Sequence, residues 1–176
     1  AEPSQYAGKQ CSPLFFSASF QNDTAPEAMG IYMQDKGIKR VYLMAPNYPA
    51  GKDFLAGFKR YFKGEIVDEV YTAFGQLDYA AEIAQLRDKR PDAVFFFYPG
   101  GMGINFVKQY AQAGLKKEIP LYGPSFSLDQ TVLPAMGDAA VGAFASTFWT
   151  EGFDNPQSKK FAKDFEAEYG RIPSPN

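Results

Sequence analysis

Residues 92–103 have the sequence DAVFFFYPGGMG, in which an apolar run ends in a glycine-rich loop. The run Asp92–Tyr98 is typical of a strand, and residues 103–113 after the loop are typical of an amphipathic helix. The same alternation recurs along the chain, with further predicted strands at Arg40–Ala45, Glu65–Tyr71, Glu118–Tyr122 and Val141–Thr147. Strands that alternate with helices at intervals of roughly 20 to 30 residues form βαβ units in one parallel sheet. The sequence therefore predicts an α/β fold, a flavodoxin-like doubly wound parallel five-stranded sheet.

Helices are predicted between the strands from the spacing of apolar side chains. Phe54, Leu55, Phe58 and Phe62 recur at helical spacing and predict a helix over residues 51–62 with one face in the core. The other predicted helices cover residues 24–36, 79–89, 103–113, 127–136 and 156–169.

Local signals set several expected boundaries. Thr24 is the expected N-cap of the first helix, and Ser127 opens a capping-box signature for the fifth. Pro134 is expected to bend that fifth helix. Ahead of all of these, Leu14–Phe20 predicts one further, buried strand.

The composition limits the function classes. Of the 176 residues, 45% are hydrophobic, 16% aromatic and 22% charged, which is typical of a globular protein rich in aromatic rings. A net charge of −2 argues against a nucleic-acid surface, which needs clustered Lys and Arg. No apolar run approaches the ~20 residues that span a bilayer. The chain starts at Ala1 without a Met, so we expect a processed or excised segment.

Catalysis is not expected from these residues. The chain contains no His, which removes Ser-His and Cys-His catalysis and the commonest ligand of transition metals. Its one cysteine, Cys11, cannot form an internal disulfide or build a structural zinc site. We interpret Cys11 either as a buried structural thiol or as one half of a disulfide with a segment outside this chain. No catalytic residue, metal or cofactor is predicted.

The loops after the predicted strands carry the candidate binding residues, because ligands of open parallel sheets bind at the carboxyl ends of the strands. These loops are aromatic, small and hydroxylic, and their candidates are Tyr48, Gly100, Gly101, Met102, Ser125, Phe126 and Trp149. The glycine loop lacks the Lys-Ser/Thr ending of a Walker motif and the third glycine of a dinucleotide motif. It is therefore either a structural turn or a turn that brings the backbone close to a ligand. Ser125 has no base to activate it and is interpreted as a binding or capping hydroxyl.

An ordered series of segments resembles one protein family. The series consists of residues 41–51, 92–96, 112–115, 122–124, 137–142 and 165–170. Together these segments are similar to the leucine/isoleucine/valine-binding protein family, the type I periplasmic receptors of ABC importers. The resemblance covers essentially the whole chain and rests on the order of the segments, since no single motif is diagnostic.

The resemblance implies a receptor with two flavodoxin-like lobes, of which this chain is a fragment. Residues 1–22 correspond to the end of the first lobe and a hinge crossing, and residues 23–147 to the second, ligand-binding lobe. Residues 148–176 correspond to the return crossing and a helix of the first lobe. The full protein is then expected to be exported to the periplasm and to deliver a small-molecule ligand to the membrane permease of an ABC transporter. The exposed flanks of the fragment are expected to pair with each other or with a second copy.

The resemblance also implies roles for individual residues. Family members place an aromatic side chain after the first strand of this lobe, a binding loop after the third, and an acid after the fourth. By position these fall near Tyr48 and Ala50, on Gly100, Gly101 and Met102, and on Ser125. In the family the acid pairs with the α-ammonium of an amino acid, whereas Ser125 is neutral. A neutral hydrogen bond contributes about 1 kcal/mol, which does not offset the several kcal/mol needed to desolvate an ammonium.

The expected ligand is therefore an aromatic or other hydrophobic carboxylate. The glycine-rich space beside Tyr48, Met102 and Phe126 suits a flat, apolar molecule. Three alternatives stay open: a branched-chain amino acid or amide bound by the same fold, a sensory ligand-binding domain, and an enzyme whose active site is completed by residues outside this chain.

Overall fold

Strands and helices alternate along the computed structural model, which describes residues 2–175. The strands are β1 (Arg40–Pro46), β2 (Glu65–Thr72), β3 (Ala93–Phe96), β4 (Leu121–Pro124) and β5 (Phe144–Ser146). The helices are α1 (Thr24–Asp35), α2 (Pro49–Tyr61), α3 (Ala80–Lys89), α4 (Gly101–Gln112), α5 (Ser125–Leu128), α6 (Leu133–Met136) and α7 (Pro156–Tyr169). Short 3-10 turns lie at Ser4–Ala7, Leu115–Lys117 and Gly137–Ala140.

The strands form one parallel five-stranded sheet in the order β2-β1-β3-β4-β5. This is the order of flavodoxin-like doubly wound folds, so the predicted fold class is confirmed. All five strands point the same way, and their carboxyl ends therefore lie along one edge of the sheet. We call this the carboxyl edge.

Each face of the sheet is covered by its own hydrophobic core. Along β1, Val41, Leu43 and Ala45 pack with the buried side chains of α1 and α2, while Tyr42 and Met44 pack with those of α3 and α4. This alternation follows from the two-residue period of a strand. Because β1 is buried on both faces, its sequence is a continuous apolar run and not an alternating one.

The predicted strand at Leu14–Phe20 is wrong. Leu14 and Phe16 are 86% and 87% exposed, and no strand of the described sheet lies beside this segment. An apolar stretch becomes a strand only when another strand completes its backbone hydrogen bonds. Here Phe20 stacks on Phe148, with ring centroids 3.7 Å apart. The interpretation of Cys11 as a buried thiol is also wrong, because Cys11 is exposed.

The fourth and fifth strands are displaced from their predicted bounds. Glu118 donates its backbone N–H to the Leu115 carbonyl and so belongs to a 3-10 turn. Pro120 has no N–H to give to a ladder, and β4 begins only at Leu121. β5 is confined to three residues because Gly142, with a φ of +92°, turns the chain just before it.

The predicted fifth helix over residues 127–136 is divided into α5 and α6. Asp129 is extended and accepts a hydrogen bond from the backbone N–H of Thr131 at 2.9 Å, which forms a turn between the two helices. Pro134 lies in the first turn of α6, where its missing N–H costs nothing, and does not bend a longer helix. Ser127 lies inside α5, and Thr24 is the first helical residue of α1 after Asp23, so neither is the predicted N-cap.

α7 keeps an exposed apolar stripe. It begins as expected, with the Asn155 side chain accepting the N–H of Ser158 at 2.8 Å. Phe161 and Tyr169 on its stripe are 50% and 63% exposed. Within residues 2–175, no helix combines the length and the apolar character that a membrane crossing requires.

Candidate ligand-binding site

The helices α2 and α4 begin directly against the carboxyl edge. Gly51 and Gly103 occupy the third position of these helices, and a Cβ atom at either would lie within 3.0 Å of a backbone oxygen, that of Pro46 or of Tyr98. Only glycine allows this approach without displacing the backbone. The two glycines therefore allow both helix N-termini to pack directly against the ends of β1 and β3. The first N–H groups of a helix have no partner within the helix and so face this edge.

Tyr48 links this edge to the core. It precedes α2 in an extended conformation, and its ring is partly buried against the α2 side of the sheet. Burial raises the pKa of its phenol above the ordinary value of 10.0. Beside it, the backbone N–H of Asn47 donates to the Thr72 carbonyl at 2.8 Å, which joins the loop after β1 to the end of β2. Ala50, in the first turn of α2, packs partly buried against the same core.

Five aromatic rings beside the carboxyl edge are linked by successive contacts, and we call this group the aromatic row. The rings of Phe126 and Phe54 meet edge to face at 5.9 Å, and those of Phe54 and Phe97 stack at 3.9 Å. Phe97 and Tyr48 are near parallel at 6.3 Å, and Tyr48 meets Phe74 at 5.0 Å with a tilt of 58°. Such arrangements stabilise aromatic pairs beyond the burial of their area. Through the row, the candidates Tyr48 and Phe126 belong to one packed group.

The N-terminus of α4 presents open backbone at the same edge. Gly100 precedes the helix with a φ of +58°, a conformation that favours glycine. Gly101 is exposed, and a Cβ atom there would meet nothing within 4 Å. Met102 is buried, and its Sδ accepts the backbone N–H of Gly75 at 3.2 Å. The loop after β3 is thereby tied to the loop after β2.

Ser125 lies deeper than the glycines. It is the first residue of α5, directly after β4, and is 2% exposed. Two residues on, the Ser127 hydroxyl accepts the backbone N–H of Tyr98 at 3.0 Å. The Thr72 hydroxyl donates to the Tyr98 phenol oxygen at 3.1 Å, and burial raises the pKa of that phenol. These bonds connect the ends of β2, β3 and β4.

Ser125 and Trp149 line one cavity of about 280 Å³, together with Asp129 and Glu151. The Trp149 indole N–H donates to the Ser158 hydroxyl at 3.1 Å, which attaches the chain after β5 to α7. No ring contact of Trp149 with the aromatic row is found among the described residues. The structure thus divides the predicted residues into two groups. Ser125 and Trp149 line the cavity. The others lie at the carboxyl edge: Tyr48, Ala50, Gly100, Gly101, Met102 and Phe126.

Sequence reasoning missed three rings of the aromatic row as candidates. Phe54 is expected from its spacing only in the core face of a helix. Phe97 lies directly after β3, within the range of the predicted strand Asp92–Tyr98. Phe74 follows β2 in a loop with no glycine-rich or hydroxylic pattern at its start, and its ring is 66% exposed. The signal available was the position of Phe74, since it also follows a predicted parallel strand.

Comparison with known proteins identifies the family to which the chain belongs. The family model described as periplasmic binding protein matches residues 1–176. A curated relative, Leu/Ile/Val-binding protein homolog 6 of Brucella melitensis, is 27% identical over 164 residues, covering 90% of this chain and 42% of the relative. The chain therefore spans less than half the length of that relative.

Two solved structures share the fold closely. A solute-binding protein of an ABC transporter from R. palustris, in complex with benzoate, is 33% identical with a TM-score of 0.88. The alignment covers 98% of this chain and 48% of that one. A second solute-binding protein, from Rhodopseudomonas palustris BisB5 in complex with 3,4-dihydroxybenzoic acid, is 34% identical with a TM-score of 0.76, covering 89% and 44%. With the whole chain matched by the family model, the protein belongs to the periplasmic binding protein family, of the leucine/isoleucine/valine-binding type.

Proposed function

We propose that this chain is the second lobe of a solute-binding receptor of an ABC importer, and that the receptor binds an aromatic carboxylate between its lobes. The observation that carries the proposal is the aromatic row beside the N-terminus of α4. The partly exposed rings of the row offer aromatic surface to a ligand ring. The helix N-terminus offers backbone N–H groups to an anion. A flat ring that bears a carboxylate matches both.

The residues we assign to the ligand are Tyr48, Ala50, Gly100, Gly101, Met102, Ser125, Phe126 and Trp149. Tyr48 and Phe126 supply the aromatic surface, and the open backbone at Gly101 supplies donors to the carboxylate. Ser125 takes the place at which related amino-acid receptors carry an acid, so the side chain at that position offers no counter-charge to an α-ammonium. The two aromatic-acid complexes among the similar structures support this assignment.

The rest of the receptor follows from the same proposal. Residues 1–22 and 148–176 are assigned to the hinge crossings and the first lobe, and residues 23–147 to the second lobe. The lobes close on the ligand by hinge motion, and the closed receptor delivers it to a membrane permease from the periplasm. The receptor acts by binding and carries out no reaction.

One alternative has an observation in its favour. The curated relative is named as a Leu/Ile/Val-binding homologue, which supports a branched-chain amino acid or amide as the ligand. The two ligands differ in the group that they would place beside Ser125, because only the amino acid carries an ammonium. An amino acid needs an acid to pair with its ammonium, whereas an aromatic carboxylate does not.

The test is a thermal-shift screen of the full-length receptor with benzoate, 3,4-dihydroxybenzoate, phenylalanine and leucine. A ligand at 100 times its Kd stabilises the native state by about 2.7 kcal/mol, and we expect this response from the benzoates alone. Tyr48→Ala should weaken benzoate binding about tenfold, which corresponds to ~1.4 kcal/mol. Tyr61→Ala is the matched control, because Tyr61 is a 45% exposed tyrosine at the other end of α2. A response to leucine with none to benzoates would favour the alternative and refute the aromatic-acid proposal.

A further inference from the structure

We infer that Phe74, in the loop between β2 and α3, is a specificity-determining residue that selects aromatic over aliphatic carboxylates; this inference rests on the proposed function. Phe74 is the exposed end of the aromatic row. The other four rings of the row pack between partners or against the core, whereas Phe74 leaves 66% of its surface open at the carboxyl edge.

The first argument is the position of the ring. Single exposed apolar side chains are common on protein surfaces and carry no meaning alone. Phe74 differs because its ring contacts Tyr48, a residue already placed at the site, at 5.0 Å. A ligand ring that packs beside Tyr48 at the open end of the row therefore meets Phe74 as well. Closure of the first lobe would cover the surface that is now exposed.

The second argument is that the loop is held in place. The N–H of Gly75 donates to the Met102 sulfur at 3.2 Å, which fixes the residue after Phe74 to the first turn of α4. Within the loop, the Ala73 N–H donates to the Gln76 side-chain oxygen at 3.3 Å, and the Gln76 amide donates to Glu82 at 2.8 Å. The ring is thus positioned relative to both parts of the site, the aromatic row and the α4 N-terminus.

The chemical consequence is selectivity for ring type. An aromatic ligand gains from an edge or face contact with Phe74 through the quadrupoles of both rings. A saturated ring of similar size gains only from the buried area. Removal of the Phe74 ring should therefore weaken an aromatic carboxylate more than a saturated one, and the ratio of their two Kd values should change.

The experiment is calorimetric titration of the full-length receptor with benzoate and cyclohexanecarboxylate. We expect Phe74→Ala to raise the Kd of benzoate about tenfold and that of cyclohexanecarboxylate about threefold or less. Phe74→Tyr should keep the wild-type preference for benzoate over cyclohexanecarboxylate, whereas Phe74→Leu should reduce that preference. Leu77→Ala is the matched control, since Leu77 is a 55% exposed apolar residue of the same loop, and it should leave both Kd values unchanged.

The outcomes separate this inference from the proposal on which it rests. Wild-type protein that binds no aromatic carboxylate overturns the proposed function and the role of Phe74 together. Wild-type protein that binds benzoate, with Phe74→Ala unchanged or weakened equally for both ligands, overturns the role of Phe74 alone. A loss in Leu77→Ala equal to that in Phe74→Ala would also overturn it, because the effect would then belong to the loop and not to the ring.

Discussion

Substitution by alanine should have opposite effects on stability at two glycines in the first turn of α4. At Gly101 a Cβ atom meets nothing within 4 Å, whereas at Gly103 it falls within 3.0 Å of the Tyr98 carbonyl oxygen. Gly103→Ala therefore forces the helix away from β3, and overpacking of this kind costs about 1–3 kcal/mol. Gly101→Ala has room and reduces the freedom of the unfolded chain, which stabilises a protein by about 0.4–1 kcal/mol.

Gly101→Ala should nevertheless weaken ligand binding. The methyl group of Gly101→Ala would lie beside the N–H groups that we assign to the ligand carboxylate. Loss of a hydrogen bond to a charged group costs about 1.5–3 kcal/mol, so the Kd for benzoate should rise roughly tenfold to a hundredfold. The assays are urea unfolding and calorimetric titration of the full-length receptor carrying each variant.

Comparison of the two variants tests both the geometry of α4 and its role in binding the carboxylate. If Gly101→Ala loses as much stability as Gly103→Ala, the local geometry of α4 is wrong. If Gly101→Ala keeps its stability and binds benzoate as the wild type does, the α4 N-terminus is not the carboxylate site. Either result would refute the reasoning that connects this turn to the ligand.

Three further predictions concern other parts of the molecule. Ser125→Glu should weaken the binding of benzoate by like-charge repulsion and restore some binding of leucine. Calorimetry that shows an unchanged affinity for benzoate would contradict the placement of Ser125. Burial and then the charges of Asp68 and Glu82 raise the pKa of Tyr42 to about 12. Because the folded state holds this proton more tightly than the unfolded chain, the contribution of Tyr42 to the free energy of unfolding should be fully present below pH 10 and decline between pH 10 and about 12. A free energy of unfolding, measured with denaturant, that stays constant across this range would contradict the prediction. The isolated chain should self-associate through exposed apolar residues such as Leu14 and Phe16, and light scattering that shows a monomer would refute this.

The fold could be predicted because its signals are local. The apolar run of β1 and the helical spacing of Phe54 and Phe58 specify an element without knowledge of its neighbours. A parallel sheet with intervening helices then leaves few topologies. The observed order β2-β1-β3-β4-β5 is one of the two common ones.

The failures concern elements whose state depends on a partner. Leu14–Phe20 is apolar enough for a strand, but strand formation requires an edge to pair with, and the sequence does not show which edge is present. Gly123 and Pro124 are turn formers by type, yet both lie in β4. A Cβ atom at Gly123 would lie 3.0 Å from the Phe96 carbonyl oxygen, so the glycine serves a close approach between strands and not a turn.

The candidate site could be predicted in outline only. Strand ends identified the loops of Tyr48 and Gly101, because position in a parallel sheet is enough for that. Which side chains meet is a tertiary property: Phe74 joins the row only because β2 lies beside β1 and brings the two loops together. The pairing of Ser125 with Trp149 at one cavity likewise depends on the contact of β4 with β5.

The most direct test of the central claim is calorimetric titration of the full-length wild-type receptor with benzoate and leucine under one set of conditions. The aromatic row and the absence of an acid at Ser125 predict saturable binding of benzoate with a negative heat-capacity change, because apolar surface is buried, and no measurable heat from leucine. Tight binding of leucine with no response to benzoate would contradict the account.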